Sequence, residues 1–363
     1  MTTSPFTIDV TPDWEGLVAC IRREGTPKRV HHIELYLDPE IEDAIIERYG
    51  VADGLDKSDP NFDKKRYVAV QRFLGYDFVR VGIENQEMVF TKSAIADSAE
   101  YARTSGRRFM EEHAGPITSW ADFEAYPWPD PKDLSTRALE WYSANLPDDM
   151  CIVGSGGFGH FAEHLSWLMG YETLCYALYE QRDLVAAIAQ KNLEMFEAAA
   201  KAMLQFDRVK VLWGSDDMGF RGGTLISPDD LREFALAGHK RLAQLAHDAG
   251  RPYILHSCGD LTQIMDDLID DVRIDGRHSF EDVIEPVTTA KDRYGDRISL
   301  LGGIDVDLLC RADEATIRTR VRETLEHCMP GGGYCLGSGN SIANYVPVDS
   351  YLAMLDEGRQ FSP

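Results

Sequence analysis

Eight short apolar runs recur along the chain, most of them followed by amphipathic sequence, and this alternation constrains the fold more than any other feature. The runs are Val30 to Leu35, Asp77 to Gly82, Met150 to Gly154, Val209 to Gly214, Pro252 to Ser257, Val272 to Ser279, Ile298 to Gly303 and Gly333 to Gly337. They are largely continuous in apolar residues, as parallel strands covered on both faces should be. Asp183 to Leu204 and Pro228 to Ala249 have helical character. The second opens on Ser227 as an N-cap with Pro228 at the first helical position, and Gly250 is placed to stop it. Strand and helix alternating about eight times predicts an α/β chain folded as a (β/α)8 TIM barrel, with a doubly wound open sheet as the alternative.

A length of 363 residues with 44% hydrophobic side chains suits one large barrel. Residues 1–363 are therefore expected to form one domain, with 1–70 an N-terminal extension and first strand and 71–363 the rest. The first 70 or so residues and the segment from Thr91 to Asp149 are longer than barrel loops require and are expected to be decorations.

A barrel gathers the C-terminal ends of its strands in one mouth, where chemistry is done. The ends of the runs supply Glu34, Gly154-Ser155-Gly156-Gly157, Asp216-Asp217, His256 with Cys258, His278, Asp305, and Cys335 with Ser338 and Asn340. His256-Ser257-Cys258-Gly259 is the sharpest of these. A His and a Cys two apart point the same way from an extended chain end, so one Zn²⁺ can take both. A distant Cys would complete three ligands, and Cys335 lies 77 positions on (335 minus 258). Three protein ligands leave a fourth position open, the mark of a catalytic zinc.

With 37 Lys+Arg against 61 Asp+Glu, the formal charge of -24 repels polyphosphate and anionic bilayers, so neither nucleic acid nor membrane is expected as a partner. The start Met1 to Thr7 lacks the basic and apolar stretches of a signal peptide, and a cytoplasmic location is expected. Seven scattered cysteines favour reduced thiols over a disulfide framework. Of these, Cys20, Cys151, Cys175, Cys310 and Cys328 read as core or surface thiols. The glycines from Gly154 to Gly159 suggest a dinucleotide loop but lack the acid ending a following strand; a tight turn lining the pocket fits better. His160, Glu163 and His164 have helical spacing and are expected to cap or line the start of a helix rather than form a second metal site.

Four stretches carry a resemblance. They are Trp213-Gly214-Ser215-Asp216-Asp217-Met218-Gly219 with Leu225-Ile226-Ser227-Pro228, then His256-Ser257-Cys258-Gly259, then Tyr294-Gly295-Asp296 with Leu301-Gly302-Gly303-Ile304-Asp305, and last Gly331 to Asn340. In this order they resemble the uroporphyrinogen decarboxylase superfamily, and within it the zinc-dependent methyltransferases that work with corrinoid proteins. The decarboxylases open with an Arg-Gln-Ala-Gly-Arg segment that grips porphyrinogen carboxylates. Here the first strand reads Val30-His31-His32-Ile33-Glu34-Leu35-Tyr36, without that clamp.

The resemblance implies a methyltransferase with His256 and Cys258 as the first two zinc ligands and Cys335 as the third. Some members place the last Cys in a Pro-Gly-Cys-Gly turn, which aligns with Ser338-Gly339 instead. The methyl group would move between a small methylated substrate, or a thiol or tetrahydrofolate-type acceptor, and a corrinoid (cobalamin) carried by a partner protein across the mouth. Gly156, Gly157 and Asn340 are the candidate cofactor contacts. Asp217, Glu34 and His278 are candidates for orienting a ligand, supplying a fourth one or transferring a proton. A cofactor-independent decarboxylase using Asp217 is the alternative, and a non-catalytic homologue binding zinc or corrinoid is a third.

Overall fold

Seven of the eight runs form one curled parallel sheet whose strands follow chain order. They are β1 (Phe78–Val81), β2 (Cys151–Gly154), β3 (Val209–Ser215), β4 (Tyr253–His256), β5 (Gly276–His278), β6 (Ser299–Leu301) and β7 (Tyr334–Cys335). Each pairs in parallel with the next. A computed structural model of the chain describes residues 4–363 except 98, 100, 104, 105, 111, 112 and 114.

The first run departs from expectation. Residues 30–37 follow β7 only through isolated parallel bridges, His32 to Leu336 and Leu37 to Ile342, with Ile33 N donating to Leu336 O at 2.8 Å. No backbone ladder joins this segment to β1 among the described residues. Side chains hold the two apart. Asp77 meets His31 Nδ1 at 2.7 Å and also pairs with Arg29, and a cavity of about 120 Å³ lies between Glu34, Tyr76, Phe78 and Arg80. The result is a seven-stranded, barrel-like sheet with the eighth segment bridged to one edge, in place of a closed ladder of eight strands.

The run from Val272 also begins later than its sequence suggests. Asp267–Val272 is a helical turn that buries Leu268, Ile269 and Val272. Arg273 then takes a left-handed φ of 66° and ends the turn, so only Gly276–His278 is extended.

The helices follow their periodicity. Arg182–Met203 buries Leu184, Val185, Ile188, Met195, Phe196 and Ala199 along one face, each large aliphatic or aromatic side chain being worth about 2 kcal/mol out of water. Ser227 Oγ accepts from Asp230 N at 3.1 Å, capping the turn Pro228–Leu231. The chain then runs through a wider turn, Arg232–Leu236, into the helix Ala237–Asp248. Within the expected decoration 91–149, Lys92–Ile95 and Arg107–Met110 pair as an antiparallel hairpin. No helix among the described residues is long and apolar enough to cross a membrane.

Candidate metal centre

Strand register sets the site. Ser215 of β3 pairs with His256 of β4, and His256 pairs with His278 of β5, so three adjacent strands end level. Just past the end of β3, successive side chains diverge. Asp216 is fully buried. It accepts from Ala162 N and Glu163 N, both at 2.9 Å, and meets His239 Nε2 at 2.9 Å. It therefore caps the helix Phe161–Met169, where a carboxylate satisfies free N–H groups and the positive end of the helix dipole.

Asp217 turns instead toward β4. Its Oδ1 lies 3.4 Å from His256 Nε2 and accepts from Cys258 N at 2.9 Å. Cys258 Sγ is 3.5 Å from the same Nε2. One ligand atom each from Asp217, His256 and Cys258 falls within 4.8 Å of the others. Ligands at about 2.0 to 2.3 Å around a tetrahedral ion stand roughly 3.3 to 3.8 Å apart, a range that holds the 3.4 Å nitrogen–oxygen and 3.5 Å nitrogen–sulfur separations here.

The surroundings orient these three atoms. His256 Nδ1 is 2.7 Å from His278 Nδ1. Burial, then the neighbouring charges of His256, Arg80 and Arg277, hold the pKa of His278 well below the usual range, so His278 is neutral. With His256 Nδ1–H donating to His278 Nδ1, Nε2 is the nitrogen left facing Asp217 and Cys258, and a metal bound there would displace any proton it carries. The His278 proton then sits on Nε2, which is buried without a partner among the described residues. A Cβ on Gly302, at φ 82°, would stand 3.1 Å from that nitrogen and 2.3 Å from Ser338 O, so no larger residue fits there.

Asn340 Nδ2 donates to Cys258 Sγ at 3.2 Å, and Ser279 Oγ lies 3.8 Å from it. Burial and then the Asp217 carboxylate push the Cys258 thiol well above its usual range. A divalent ion reverses that balance by stabilising the thiolate. Burial also opposes ionisation of Asp217, but hydrogen bonding and charge from His256 and the Cys258 amide outweigh it and hold the carboxyl at about 2.

Cys335 does not join the cluster, which corrects the expected third ligand. It is fully buried on β7 with Sγ 3.8 Å from Cys20 Sγ of the N-terminal helix Trp14–Ile21. Ser338, the alternative position, is also occupied elsewhere: its N and Oγ donate to Glu34 at 2.6 and 2.7 Å. Glu34 thus stands outside the ligand set, and burial raises its pKa to about 8. It anchors the loop that delivers Asn340, whose N donates to Ser338 Oγ at 3.3 Å.

Gly156, Gly157 and Asn340 are not brought together. The two glycines, with φ of 89° and 65°, line a cavity of about 300 Å³ with Arg80, Ser155, His160 and Trp213. Asn340 lines a wider cavity of about 950 Å³ with Tyr36, Glu281 and Asp305. His160 Nδ1 meets Glu163 Oε2 at 2.5 Å and His164 Nδ1 lies 3.4 Å from Asn192 Oδ1, so both serve the start of their helix. Arg80 escaped the sequence reading, although a charge inside an apolar run was its signal.

Comparison with known proteins identifies the family. The family described as uroporphyrinogen decarboxylase (URO-D) matches residues 112–361. A uroporphyrinogen decarboxylase from Alkalilimnicola ehrlichii is 26% identical over 270 residues, 68% of each chain. A methylated-thiol–coenzyme M methyltransferase from Methanosarcina mazei is 25% identical over 169 residues, 45% of this chain and 43% of that protein. The solved structure of a methyltransferase from Methanosarcina mazei superposes with a TM-score of 0.66 at 18% identity, covering 94% of this chain and 97% of that one, a likeness of fold.

Proposed function

The chain belongs to the uroporphyrinogen decarboxylase family, and from that premise we propose that it is a methyltransferase that uses Zn²⁺ held by Asp217, His256 and Cys258 and exchanges a methyl group with a corrinoid carried by a separate protein. The observation that carries this reading is the convergence of three metal-competent atoms of different chemistry at the mouth of the sheet. Zinc bound there would act as a Lewis acid toward the heteroatom that gains or loses the methyl group.

The remaining roles belong to the chain itself. His278 holds the His256 ring in the ligating tautomer. Asn340 donates to the Cys258 sulfur and favours its charged form. The Cys258 amide fixes one Asp217 oxygen. Around the mouth, Tyr36, Phe220, Val283 and Tyr345 are exposed on segments that follow strand ends. Large apolar side chains on a rim suit the flat face of a corrin ring and the partner that carries it.

The decarboxylase reading draws on the names of relatives such as that from Alkalilimnicola ehrlichii and on Asp217, a carboxylate held ionised in the mouth. Against it stands the first segment, Val30 to Tyr36, which lacks the Arg-Gln-Ala-Gly-Arg clamp that a polyanionic tetrapyrrole calls for. An absorbance assay of cob(I)alamin methylation by candidate methyl donors, run before and after chelation, tests the proposal. Methylation that chelation abolishes and zinc restores supports it. Chelation-resistant decarboxylation with no methyl transfer overturns it.

A further inference from the structure

Arg80 is a guanidinium without a counter-ion. It lies on β1, half-buried, and no carboxylate is within ion-pair distance among the described residues. Arg277, the other guanidinium inside the sheet, has its partner in Glu285 at 2.9 Å. Glu34 shares the smaller cavity with Arg80, but its carboxyl is turned to Ser338, and burial keeps it neutral up to about pH 8. Burial lowers the pKa of Arg80 to about 10, which leaves it cationic at neutral pH. A half-buried guanidinium with no carboxylate partner is free to take an anion.

Its surroundings form a prepared site. The guanidinium lies 4.7 Å from the centre of the Trp213 ring, a stacking that holds its plane fixed. Nε donates to Ser155 Oγ at 3.0 Å. The terminal nitrogens make no hydrogen bond to any described residue, and the Ser155 hydroxyl, having accepted from Nε, keeps its own proton to donate. The Trp213 indole N–H is likewise buried without a partner. All three side chains line the cavity of about 300 Å³ that also reaches Ser215, two positions before Asp217. Trp213 also meets the His278 ring, edge to face at 5.4 Å between centres, and His278 touches His256.

We propose that this cavity anchors a substrate carboxylate on the Arg80 guanidinium and the Ser155 hydroxyl, so that the molecule exchanging its methyl group is a small carboxylic acid. This rests on the methyltransferase reading for the reaction, but not for the binding. One rigid fork matches one planar carboxylate in bidentate fashion. A cavity of this size, at the low end for ligand sites, suits a small molecule and not a tetrapyrrole.

Calorimetric titration with methoxyacetate and meta-methoxybenzoate, each beside its uncharged amide, tests the assignment. At least one acid should bind wild type roughly tenfold to a hundredfold more tightly than its amide, the span expected for a charge-assisted contact. Arg80→Gln should remove that preference, and Arg80→Lys should keep part of it, which shows that the site survives substitution. Cys258→Ala, which removes a metal ligand, should leave the preference intact. The proposal is overturned if neither acid outbinds its amide or if the preference survives Arg80→Gln. Acid selectivity in a chain that holds no zinc would instead count against the methyltransferase reading alone.

Discussion

His256 and His278 meet through their Nδ1 atoms at 2.7 Å, and that contact decides which nitrogen of His256 is free for a metal. Both rings are buried, His278 completely. Replacing His278 by Ala should therefore weaken zinc binding by about tenfold to a hundredfold without removing any ligand, as loss of an orienting partner does at metal centres. Competition titration with a chromophoric chelator measures it. Unchanged affinity in His278→Ala would mean that His256 needs no such partner.

Asp216 and Asp217 are neighbours with separable roles. Asp216→Ala should lower stability by about 3 kcal/mol, because it strands buried donors on the helix Phe161–Met169 and on His239. Asp217→Asn should reduce zinc content and, with both proteins compared metal-free, leave the denaturation midpoint nearly unchanged. Denaturant unfolding together with metal analysis of both variants separates the two.

Glu34 should make stability fall with rising pH. Its folded pKa of about 8 stands above the ordinary value of 4.5, so the folded state binds the proton more tightly. That contribution is fully present below about pH 4.5 and is lost as pH rises through 8, at up to about 1.4 kcal/mol per pH unit. Glu34→Gln keeps a carbonyl for Ser338 N and an N–H for Ser338 Oγ but cannot ionise. Its stability between pH 5.5 and 8 should fall less than that of wild type, as thermal unfolding at the two pH values would register.

Asn340→Ala should shift zinc binding to higher pH. The amide N–H at 3.2 Å favours the thiolate of Cys258, and zinc binds only after the thiol proton is lost. A charge-assisted hydrogen bond of this kind corresponds to about one pH unit. Zinc uptake followed from pH 6 to 9 should show the midpoint of the variant displaced upward. A displacement downward would contradict the role given to Asn340.

Much of the fold was legible in the sequence. Parallel strands covered on both faces leave continuous apolar runs, and seven of the eight became strands at or within a few residues of their expected limits. The first run misled because apolarity reports burial, not pairing: His31, Asp77 and Arg29 fill the gap where a ladder was expected. The nearness of His256 and Cys258 was readable because their relation is local, two residues apart at a strand end. Cys335 was expected as the third ligand because a second thiolate was sought, and Asp217 was placed only among the groups that could orient a ligand, supply a fourth one or transfer a proton. In a sheet that follows chain order, β4 lies beside β3 and β5, so Asp217 and His278 were the residues within reach. Cys335 sits three strands away and packs on Cys20.

The most direct measurement is zinc content per chain in wild type, Asp217→Ala, Cys258→Ala and Cys335→Ala, all purified alike. The account predicts about one zinc in wild type and in Cys335→Ala, and little or none in the other two. A metal-free wild type, or loss of zinc in Cys335→Ala with retention in Asp217→Ala, would contradict it.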